Sequence, residues 1–503
     1  MPIPLFNSIA SWFLKKRIHQ IELFLKFPNE VQQEVLHGLL DKASQTHYGL
    51  QFDFKRIQNY KTFSEQLPLV KYEDIQQDIE LSRRGVQNIF WPGHIKWFAK
   101  SSGTTGSKSK FIPVSTASLE DCHYKAGKDM LSLYFNNNSD SQLLTGKCLR
   151  LGGSSELYQN NNSYFGDLSS IIIENLPFWA EISSTPSQKT SLMSEWESKM
   201  KAIIAESMDQ KVTSLAGVPS WMLVLLQNVC EQKNLNNIQD LWPQVEVYFH
   251  GGVNFEPYRS QYEQLFPNAG FQYYEIFNAS EGFFAIQDQN ASSDLLLMLD
   301  YGIFYEFIPQ NGWQLSQPKT IPLWEVELGI PYEMVITTNA GLWRYRIGDT
   351  VRFTSLSPYR IRVSGRTKQH INVFGEELMV ENAEKALALA AEKTGIQILD
   401  FTVGPIFMNG KEKGAHEWLI EFKSPPPAMQ TFVNQLDVEL KALNSDYEAK
   451  RYKDMTLLPP KVHKARSGLF YKWLESKKKL GGQHKVPRLS NCRSHLEELL
   501  ALN

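Results

Sequence analysis

The chain has 503 residues, 42% of them hydrophobic and 12% aromatic, which is too long for one ordinary domain and rich enough in apolar side chains for a sizeable core. A net charge of −2 excludes a global attraction to nucleic acid or to an anionic membrane surface, so any binding of phosphates has to be local. Cys122, Cys148, Cys230 and Cys492 lie far apart, with no C-x-x-C pair and no neighbouring histidine cluster, which argues against structural zinc and for a reducing compartment, so a cytoplasmic location is expected.

Met1 to Leu14 is apolar but carries Pro2 and Pro4, and Lys15-Lys16-Arg17 follow it, the reverse order of a secretory signal. It reads as an amphipathic helix packed on the body, and no run reaches the length of a membrane span. Residues 10–90 read as helical scaffold, with Val31, Val35, Leu39 and Ala43 at four-residue spacing behind a Pro28-Asn29 start.

The stretch Lys100 to Lys110, Lys-Ser-Ser-Gly-Thr-Thr-Gly-Ser-Lys-Ser-Lys, suits a polyphosphate. Its glycines let backbone N–H groups turn inward, its hydroxyls add donors and its lysines add charge. It is not a Walker loop, because Ser107 follows Gly106 where lysine is required and Ser101 stands where the first glycine belongs. Phe111 to Val114 reads as a short strand, and the next helix starts after Ser115 or Thr116 as N-cap, so the loop joins two strands. Taken alone, it also reads as an ordinary polar turn.

From 94 to 300, candidate strands Cys148–Gly152, Val212–Leu215, Val245–His250 and Phe271–Phe277 alternate with helices such as Trp221–Gln232. That alternation implies an α/β core with a partly parallel sheet whose ligand sites lie at strand C-terminal ends. His250-Gly251-Gly252 and Asn278-Ala279-Ser280-Glu281-Gly282 fall at such ends, although each alone reads as a tight turn. Between 300 and 365 the candidate strands are Ile303–Ile308, Glu333–Thr337, Trp343–Arg346, Thr350–Thr354 and Tyr359–Val363, punctuated at Asn339–Gly341 and Gly348-Asp349. A small antiparallel sheet or β-barrel-like subdomain is expected there.

Beyond Gly365 a second unit begins, with a helix Val380–Lys393 ended by Gly395 and strands Ile396–Val403 and His416–Phe422. A Ser424-Pro-Pro-Pro427 turn introduces a helix bearing Met429, Phe432, Val433, Leu436, Leu440 and Leu443, and a basic tail leads through Gly481-Gly482 to Lys485-Val-Pro-Arg488. The expected architecture is α/β: a large N-terminal domain over 1–365 with mixed sheets and the barrel-like subdomain, a hinge over 366–378, and a smaller mobile α+β C-terminal domain over 379–503.

These segments, in this order, carry a resemblance. Ser101–Lys110 resembles the phosphate loop of the adenylate-forming superfamily of acyl-CoA synthetases, peptide-synthetase adenylation domains and luciferase. Phe277-Asn-Ala-Ser-Glu281 resembles its aromatic-x-x-Ser/Thr-Glu motif, Tyr345-Arg-Ile-Gly-Asp349 its Tyr-Arg-x-Gly-Asp motif, Gly365-Arg366-Thr-Lys368 its hinge and Lys485-Val-Pro-Arg488 its C-terminal Lys-x-x-Arg. Within the superfamily, residues 40–490 are similar to the bacterial branch of the auxin-responsive acyl-acid amido synthetase family. The cues are the Ser-Ser-Gly-Thr opening, Ala-Ser-Glu-Gly, Gly375-Glu-Glu-Leu378 and the closing Gly-x-x-Lys-x-Pro-Arg. Phe277 departs from the family's usual tyrosine, which keeps adenine stacking but removes a phenolic hydrogen bond, and Gly106 comes one residue earlier than in plant members.

The resemblance implies an enzyme dependent on ATP and Mg²⁺ that adenylates a carboxylic acid, releases pyrophosphate and passes the acyl group to an amine, an amino acid in the family's usage. It implies that Ser101, Ser102, Gly103, Thr104, Thr105, Gly106 and Lys110 hold the phosphates, with Lys108 the rival cation or else a solvated loop charge. By the same carry-over Glu281 holds the metal, Ser280 lies beside the α-phosphate, Asp349 accepts from the ribose hydroxyls and Arg366 reaches ribose or phosphate. Phe277 packs on adenine and Gly251-Gly252 lets the backbone approach it. Lys485, supported by Arg488, swings in with the small domain during adenylation.

Each residue also has a plainer reading: a helix-start cap for Ser280-Glu281, a Gly-Asp turn for Asp349, a surface ion pair for Arg366, one more basic-tail lysine for Lys485. The acyl pocket is expected along the helix after Ser115, at Tyr124 and near Gly152 and Val218, although Tyr124 also reads as a core aromatic. The expected partners are a small-molecule carboxylic acid and an amine, with no nucleic acid and no integral membrane, and the protein itself is expected to be a monomer. Two other functions compete. An acyl-CoA ligase shares the first step, and a non-catalytic nucleotide-binding regulator is opposed by the intact Lys110, Glu281, Asp349 and Lys485.

Overall fold

Twelve strands lie side by side in the largest sheet of the computed structural model, which describes residues 16–503 apart from 103–108, 153–156, 161, 194, 314, 316, 368, 410–411, 424–427, 455 and 478–485. From one edge, Ile321–Pro322, Ile303–Pro309, Pro331–Thr338, Tyr345–Leu356, Tyr359–Arg366, Leu295–Leu297, Gly282–Ile286 and Gln272–Ala279 pair antiparallel in turn. Val247–Gly251, Val212–Gly217, Lys147–Leu151 and Ser184–Thr185 then continue the sheet in parallel. Parallel strands need crossovers, supplied here by the helices Trp196–Ser207, Pro219–Lys233 and Arg259–Leu265. Covered on both faces, Val247–Gly251 is buried along its whole length, as its apolar run requires.

The barrel-like subdomain expected between 300 and 365 is not a closed barrel. The edges of that meander are taken by other strands: Leu295 and Leu296 pair with Ile361 and Arg360, and Ile321–Pro322 pairs with Phe307 and Glu306. Nor is Gly348-Asp349 a turn between two strands. Tyr345–Leu356 is one strand, and a register shift between Thr350 and Val351 bends it, with Gly348 at φ 83° absorbing the local strain.

A four-stranded sheet holds the serine-rich segment: Trp97–Ser102 and Ser109–Val114 form an antiparallel hairpin, followed by Ser163–Gly166 and Tyr158–Asn160. The helix Pro28–Ala43 forms where its periodicity predicts, but the buried face is Gln32, Leu36, Leu39, Leu40 and Ala43, leaving Val31 and Val35 only partly covered. Gln32 explains the offset: its amide donates to the carbonyls of Leu299 (2.8 Å) and Ile303 (2.9 Å) and accepts from the Tyr305 N–H (2.9 Å), tying the helix to the sheet through a buried polar group. The helix expected at Met1–Leu14 and the Ser424–Pro427 turn lie outside the described residues.

After the meander, Ile398–Ile406, Ala415–Phe422 and Lys461–Lys464 form a three-stranded sheet flanked by the helices Val380–Thr394 and Met429–Leu443. Gly395 closes the first helix at φ 67°. Among the described residues no helix is long and apolar enough to cross a membrane.

Two buried ion pairs brace the meander: Arg344 with Glu306 at 2.8 Å and Arg346 with Glu333 at 2.6 Å. The motif arginine Arg346 is thereby occupied within the sheet. Arg344 also donates to the carbonyls of Ser64 and Leu67, so it joins the N-terminal helices to the strands. Glu306→Leu strands that guanidinium, and urea unfolding followed by tryptophan fluorescence should show a loss of about 3–5 kcal/mol; a loss under about 1 kcal/mol contradicts the bracing role.

Candidate active site

Lys100–Ser102 and Ser109–Lys110 lie on two paired strands, which flank the serine-rich stretch as the sequence predicts. Ser101 faces Lys110 and Ser102 faces Ser109 at the mouth of the hairpin. The helix Tyr72–Arg83 supports it from below: the Phe111 N–H donates to the Tyr72 hydroxyl at 3.0 Å, and the Lys110 ammonium stands 5.8 Å from the Tyr72 ring. Ser115 is the N-cap expected, accepting from the Ser118 N–H. Gly103, Thr104, Thr105, Gly106 and Lys108 lie outside the described residues. Burial pulls the Lys110 ammonium below the ordinary lysine range, against the attraction of Glu281 and Glu73.

Ser280 and Glu281 form the turn of a hairpin between Gln272–Ala279 and Gly282–Ile286, with Ala279 opposite Gly282, so the helix-start reading of this pair does not hold. A Cβ at Gly282 would stand 2.8 Å from Ile303 Cδ1, so the tip of that side chain would have to move aside for it. Burial pushes the Glu281 carboxyl up to about 7, with Lys110 and Arg366 opposing and Asp349 reinforcing the shift.

The bend in Tyr345–Leu356 sets Asp349 opposite Arg366 in register, and Arg366 Nε meets Asp349 Oδ1 at 2.8 Å. Glu377 Oε1 lies 3.4 Å from Arg366 Nη2. Burial raises the Asp349 carboxyl, Arg366 working against it. Burial also works against the Arg366 charge, but Asp349, Glu377 and Glu281 together hold the guanidinium above its ordinary value.

These residues share one cleft of about 880 Å³, lined by Ser101, Lys110, Ser280, Glu281, Asp349 and Arg366. Gly252 and Phe277 complete its wall on the parallel side of the sheet. Gly252 takes φ 85°, and at Gly251, which ends its strand, a Cβ would meet the Ile276 carbonyl oxygen at 2.5 Å. Phe277 packs on Phe284 at 5.0 Å and presents only its remaining edge.

Other sequence-predicted residues stand apart from the cleft lining. Arg488 pairs with Asp400, donates to the Phe401 carbonyl at 2.9 Å and lies over the Phe401 ring. Lys485 and Lys368 lie outside the described residues. The Tyr124 hydroxyl donates to the Asn175 carbonyl at 2.6 Å while its ring packs on the main core. Gly152 sits against Ser169 and Ile173, and a methyl of Val218 lies 3.5 Å from the Cβ position of Gly252.

Further side chains line the cleft without having been given a role from the sequence, among them His250, Glu275 and Glu377. Strand alternation offered the signal for Glu275, which shares a face with Phe277 two residues on. His250 faces Glu275 in register, stacks on Phe255 at 4.2 Å and keeps Nδ1 buried without a hydrogen-bond partner among the described residues. Burial, with Glu256 adding to it, lifts the Glu275 carboxyl to about 7. Glu377 belongs to the quoted Gly375–Leu378 segment and holds the strained φ of 38° between hydrogen bonds from its N–H to Asn372 and from Asn444 to its carbonyl.

Residues 17–271 match the GH3 family N-terminal domain, 296–366 its central domain and 381–494 its C-terminal domain. The chain is 23% identical to the indole-3-acetic acid-amido synthetase GH3.4 of Arabidopsis thaliana, with 94% of this chain and 91% of that protein covered. It is 24% identical to the 4-substituted benzoates-glutamate ligase GH3.12 of the same plant, covering 93% and 94%, and 24% identical to the jasmonoyl–L-amino acid synthetase JAR6 of Nicotiana attenuata, covering 97% and 96%. Among solved structures, the GH3.15 acyl acid amido synthetase superposes with a TM-score of 0.59 at 19% identity over 94% of this chain and 93% of that one. A 2-hydroxyisobutyryl-CoA ligase in complex with 2-HIB-AMP and CoA superposes at 0.57 and 12% identity over 95% and 93%. These superpositions show an adenylate-forming fold with a large N-terminal and a smaller C-terminal domain.

Burial holds His250 down to about 3 and His123 to about 4, both below the ordinary histidine value. Folded, they stay neutral where the unfolded chain takes up protons, so their contribution to stability is full above about pH 6.5 and falls as the pH drops toward 4, by up to about 1.4 kcal/mol per pH unit for each. Glu275 and Glu281, lifted to about 7, act in the opposite sense over the same range, so the readout is a difference: from pH 7 to pH 5 the melting temperature of the parent should fall relative to that of His250→Phe. An unchanged slope in that variant contradicts the assignment.

Proposed function

This chain belongs to the GH3 family, and from that premise we propose that it is an ATP-dependent acyl-acid amido synthetase. A carboxylate oxygen of the acid attacks the α-phosphorus of ATP, the bond to the β-phosphate oxygen breaks, and pyrophosphate leaves. An amine nitrogen then attacks the acyl carbonyl, loses a proton and displaces AMP, leaving an amide. The observation that carries this reading is the gathering of Ser101, Lys110, Glu281, Asp349 and Arg366 around one cleft. An amino acid is the proposed amine because the amido synthetase and ligase relatives named above are called after amino-acid conjugation.

Within that reading the hairpin hydroxyls and Lys110 hold the departing phosphates, and Ser280 lies by the α-phosphate. Asp349 accepts from the ribose hydroxyls, and Arg366 both orients it and offers its remaining N–H groups to ribose or phosphate. Among the described residues no cluster of three or more His, Cys, Asp or Glu forms a metal cage. One carboxylate, Glu281, in a cleft sized for a triphosphate fits Mg²⁺, which takes one or two protein carboxylates and completes its shell with phosphate oxygens and water. When bound, the ion neutralises charge on the phosphate oxygens. Phe277 and the Gly251-Gly252 backbone bracket the base. The small domain pivots across residues 366–378, and Lys485, seconded by Arg488, stabilises charge at the reacting carboxylate and α-phosphate.

Incubation with ATP, Mg²⁺, a panel of carboxylic acids and hydroxylamine should give pyrophosphate and hydroxamate in equal amounts; neither product from a broad panel rejects the reading. Amino acids should compete with hydroxylamine where CoA does not. Lys485→Ala should slow adenylate formation by about 100-fold or more while leaving ATP affinity within about twofold, and a rate equal to the parent's removes Lys485 from the reaction. Asp349→Ala should instead raise the KM for ATP about tenfold or more, since it removes a charged acceptor of two hydrogen bonds.

A further inference from the structure

Across the parallel strands, Tyr274, Phe249, Ala216 and Arg150 are successive register partners and form one row on one face of the sheet. The helix Lys125–Asn137 covers that face: the Tyr134 ring packs 5.3 Å from Tyr274 and 5.9 Å from Phe249. At the other end of the row Ala216 is small, so the sheet surface drops between the Phe249 ring and the Arg150 side chain. Leu149 and Leu151, which flank Arg150 and point the opposite way, are packed among Met200, Ile203 and Leu223.

Arg150 is the anomaly in this apolar setting. Its Nε and Nη2 are buried and have no hydrogen-bond partner among the described residues. The charged and titratable groups that act on it, Cys148 on its own strand and Glu181 on the helix Phe178–Ile182, do so without a hydrogen bond or ion pair, and burial pulls the guanidinium below its ordinary value. Buried guanidinium N–H groups are ordinarily paired, and one left alone is costly unless an anion enters.

The position of the row says where that anion would come from. Gly152 lies two residues beyond Arg150 and Val218 two beyond Ala216, so both sit at the C-terminal rim of the same strands, and Val218 touches the surroundings of Gly252 in the nucleotide cleft. Arg150 is thus about 7 Å deeper than the rim, at about 3.3 Å per residue, on the face where the acyl pocket is expected. Arg150, Gly152 and Val218 do not line the nucleotide cleft themselves, so an acid that reaches Arg150 would run from the rim down this face, its reacting carboxylate at the rim and its far end at the guanidinium.

We propose that Arg150 is a specificity-determining residue of the acyl pocket, and that the acid this protein activates carries a second anionic group, remote from the reacting carboxylate, which pairs with the Arg150 guanidinium. This rests on the amido synthetase reading. The bidentate fork of arginine suits a carboxylate in that place, whereas an acid with an apolar tail leaves the guanidinium stranded. An amino-acid acceptor arrives after the adenylate has formed and meets it at the rim, which leaves the deep position to the acyl chain.

The test uses the full chain and matched acids: hexanoate against hexanedioate, octanoate against octanedioate and benzoate against terephthalate, each followed by pyrophosphate release. For at least one pair the diacid should be preferred in kcat/KM by tenfold or more. Arg150→Met should lower that diacid at least tenfold and leave its monoacid within threefold, while Arg150→Lys retains part of the preference. A parent that prefers every monoacid overturns the proposal, as does an Arg150→Met variant in which both members of a pair fall equally, the mark of a structural role. A change confined to the KM of the amino acid assigns the guanidinium to the acceptor and also overturns it. If no acid releases pyrophosphate, the amido synthetase reading fails. Calorimetric binding of octanedioate and terephthalate to parent and Arg150→Met then still decides the point, binding that depends on Arg150 supporting the anion site and its absence rejecting it.

Discussion

Where the strand Tyr345–Leu356 bends, Arg366 Nε meets Asp349 Oδ1 at 2.8 Å across the sheet, and the other charges of the cleft are arranged around that pair. A buried ion pair stands only if its remaining donors and lone pairs are met. Here Glu377 approaches Arg366 from the segment after the meander, Glu281 from the hairpin turn and Lys110 from the serine-rich hairpin, each bearing on the others' protonation. Asp349, Glu281 and Glu377 are three carboxylates against the two cations Arg366 and Lys110, and burial, reinforced by Asp349, lifts Glu281 to about 7.

The sheet explains how segments far apart in sequence arrive there. Its antiparallel half carries Asp349, Arg366 and the Ser280-Glu281 turn, and its parallel half ends at Gly251-Gly252, so the cleft lies beside the junction of the two halves. The segment after Arg366 is held from both sides. The Tyr258 hydroxyl donates to the Val373 carbonyl at 2.6 Å, while Glu376 accepts from the Val373 and Phe374 N–H groups and pairs with His416 of the three-stranded sheet at 2.9 Å, both side chains fully buried. This loop thus links the three-stranded sheet, through Glu376, to the segment whose Glu377 lies 3.4 Å from Arg366.

Much of this was legible because local chemistry and global fold agree. The Ser115 cap, the Gly395 stop and the apolar parallel strands each follow from residue type and spacing, and the failure of the Walker pattern correctly set the serine-rich loop between two strands. Elsewhere the deciding contacts are non-local. The meander does not close, because Leu295–Leu297 takes its edge, and no periodicity within 303–363 announces a pairing made from outside it. Gly348-Asp349 looks like a turn, and only the register with Gly365-Arg366 reveals a bulge. Glu275 shares the alternation of Phe277 and Glu377 lies in the quoted Gly375–Leu378 segment, but their place in the cleft is set by the neighbouring strand and by a strained backbone. Arg150 was invisible for the same reason: an arginine within a strand declares itself only when its partners fail to appear in space.

The central claim is that the serine-rich hairpin, the Ser280-Glu281 turn, the Asp349 bend and the segment from Arg366 to Glu377 serve one nucleotide. Hydrogen–deuterium exchange of the full chain with and without ATP and Mg²⁺ reads all of them in a single experiment. The account predicts slowed exchange in peptides covering 100–111, 276–283, 346–351 and 364–378 together, at the same nucleotide concentration. Protection of some with no change in the Asp349 and Arg366 peptides, or protection that saturates at different concentrations, would contradict it.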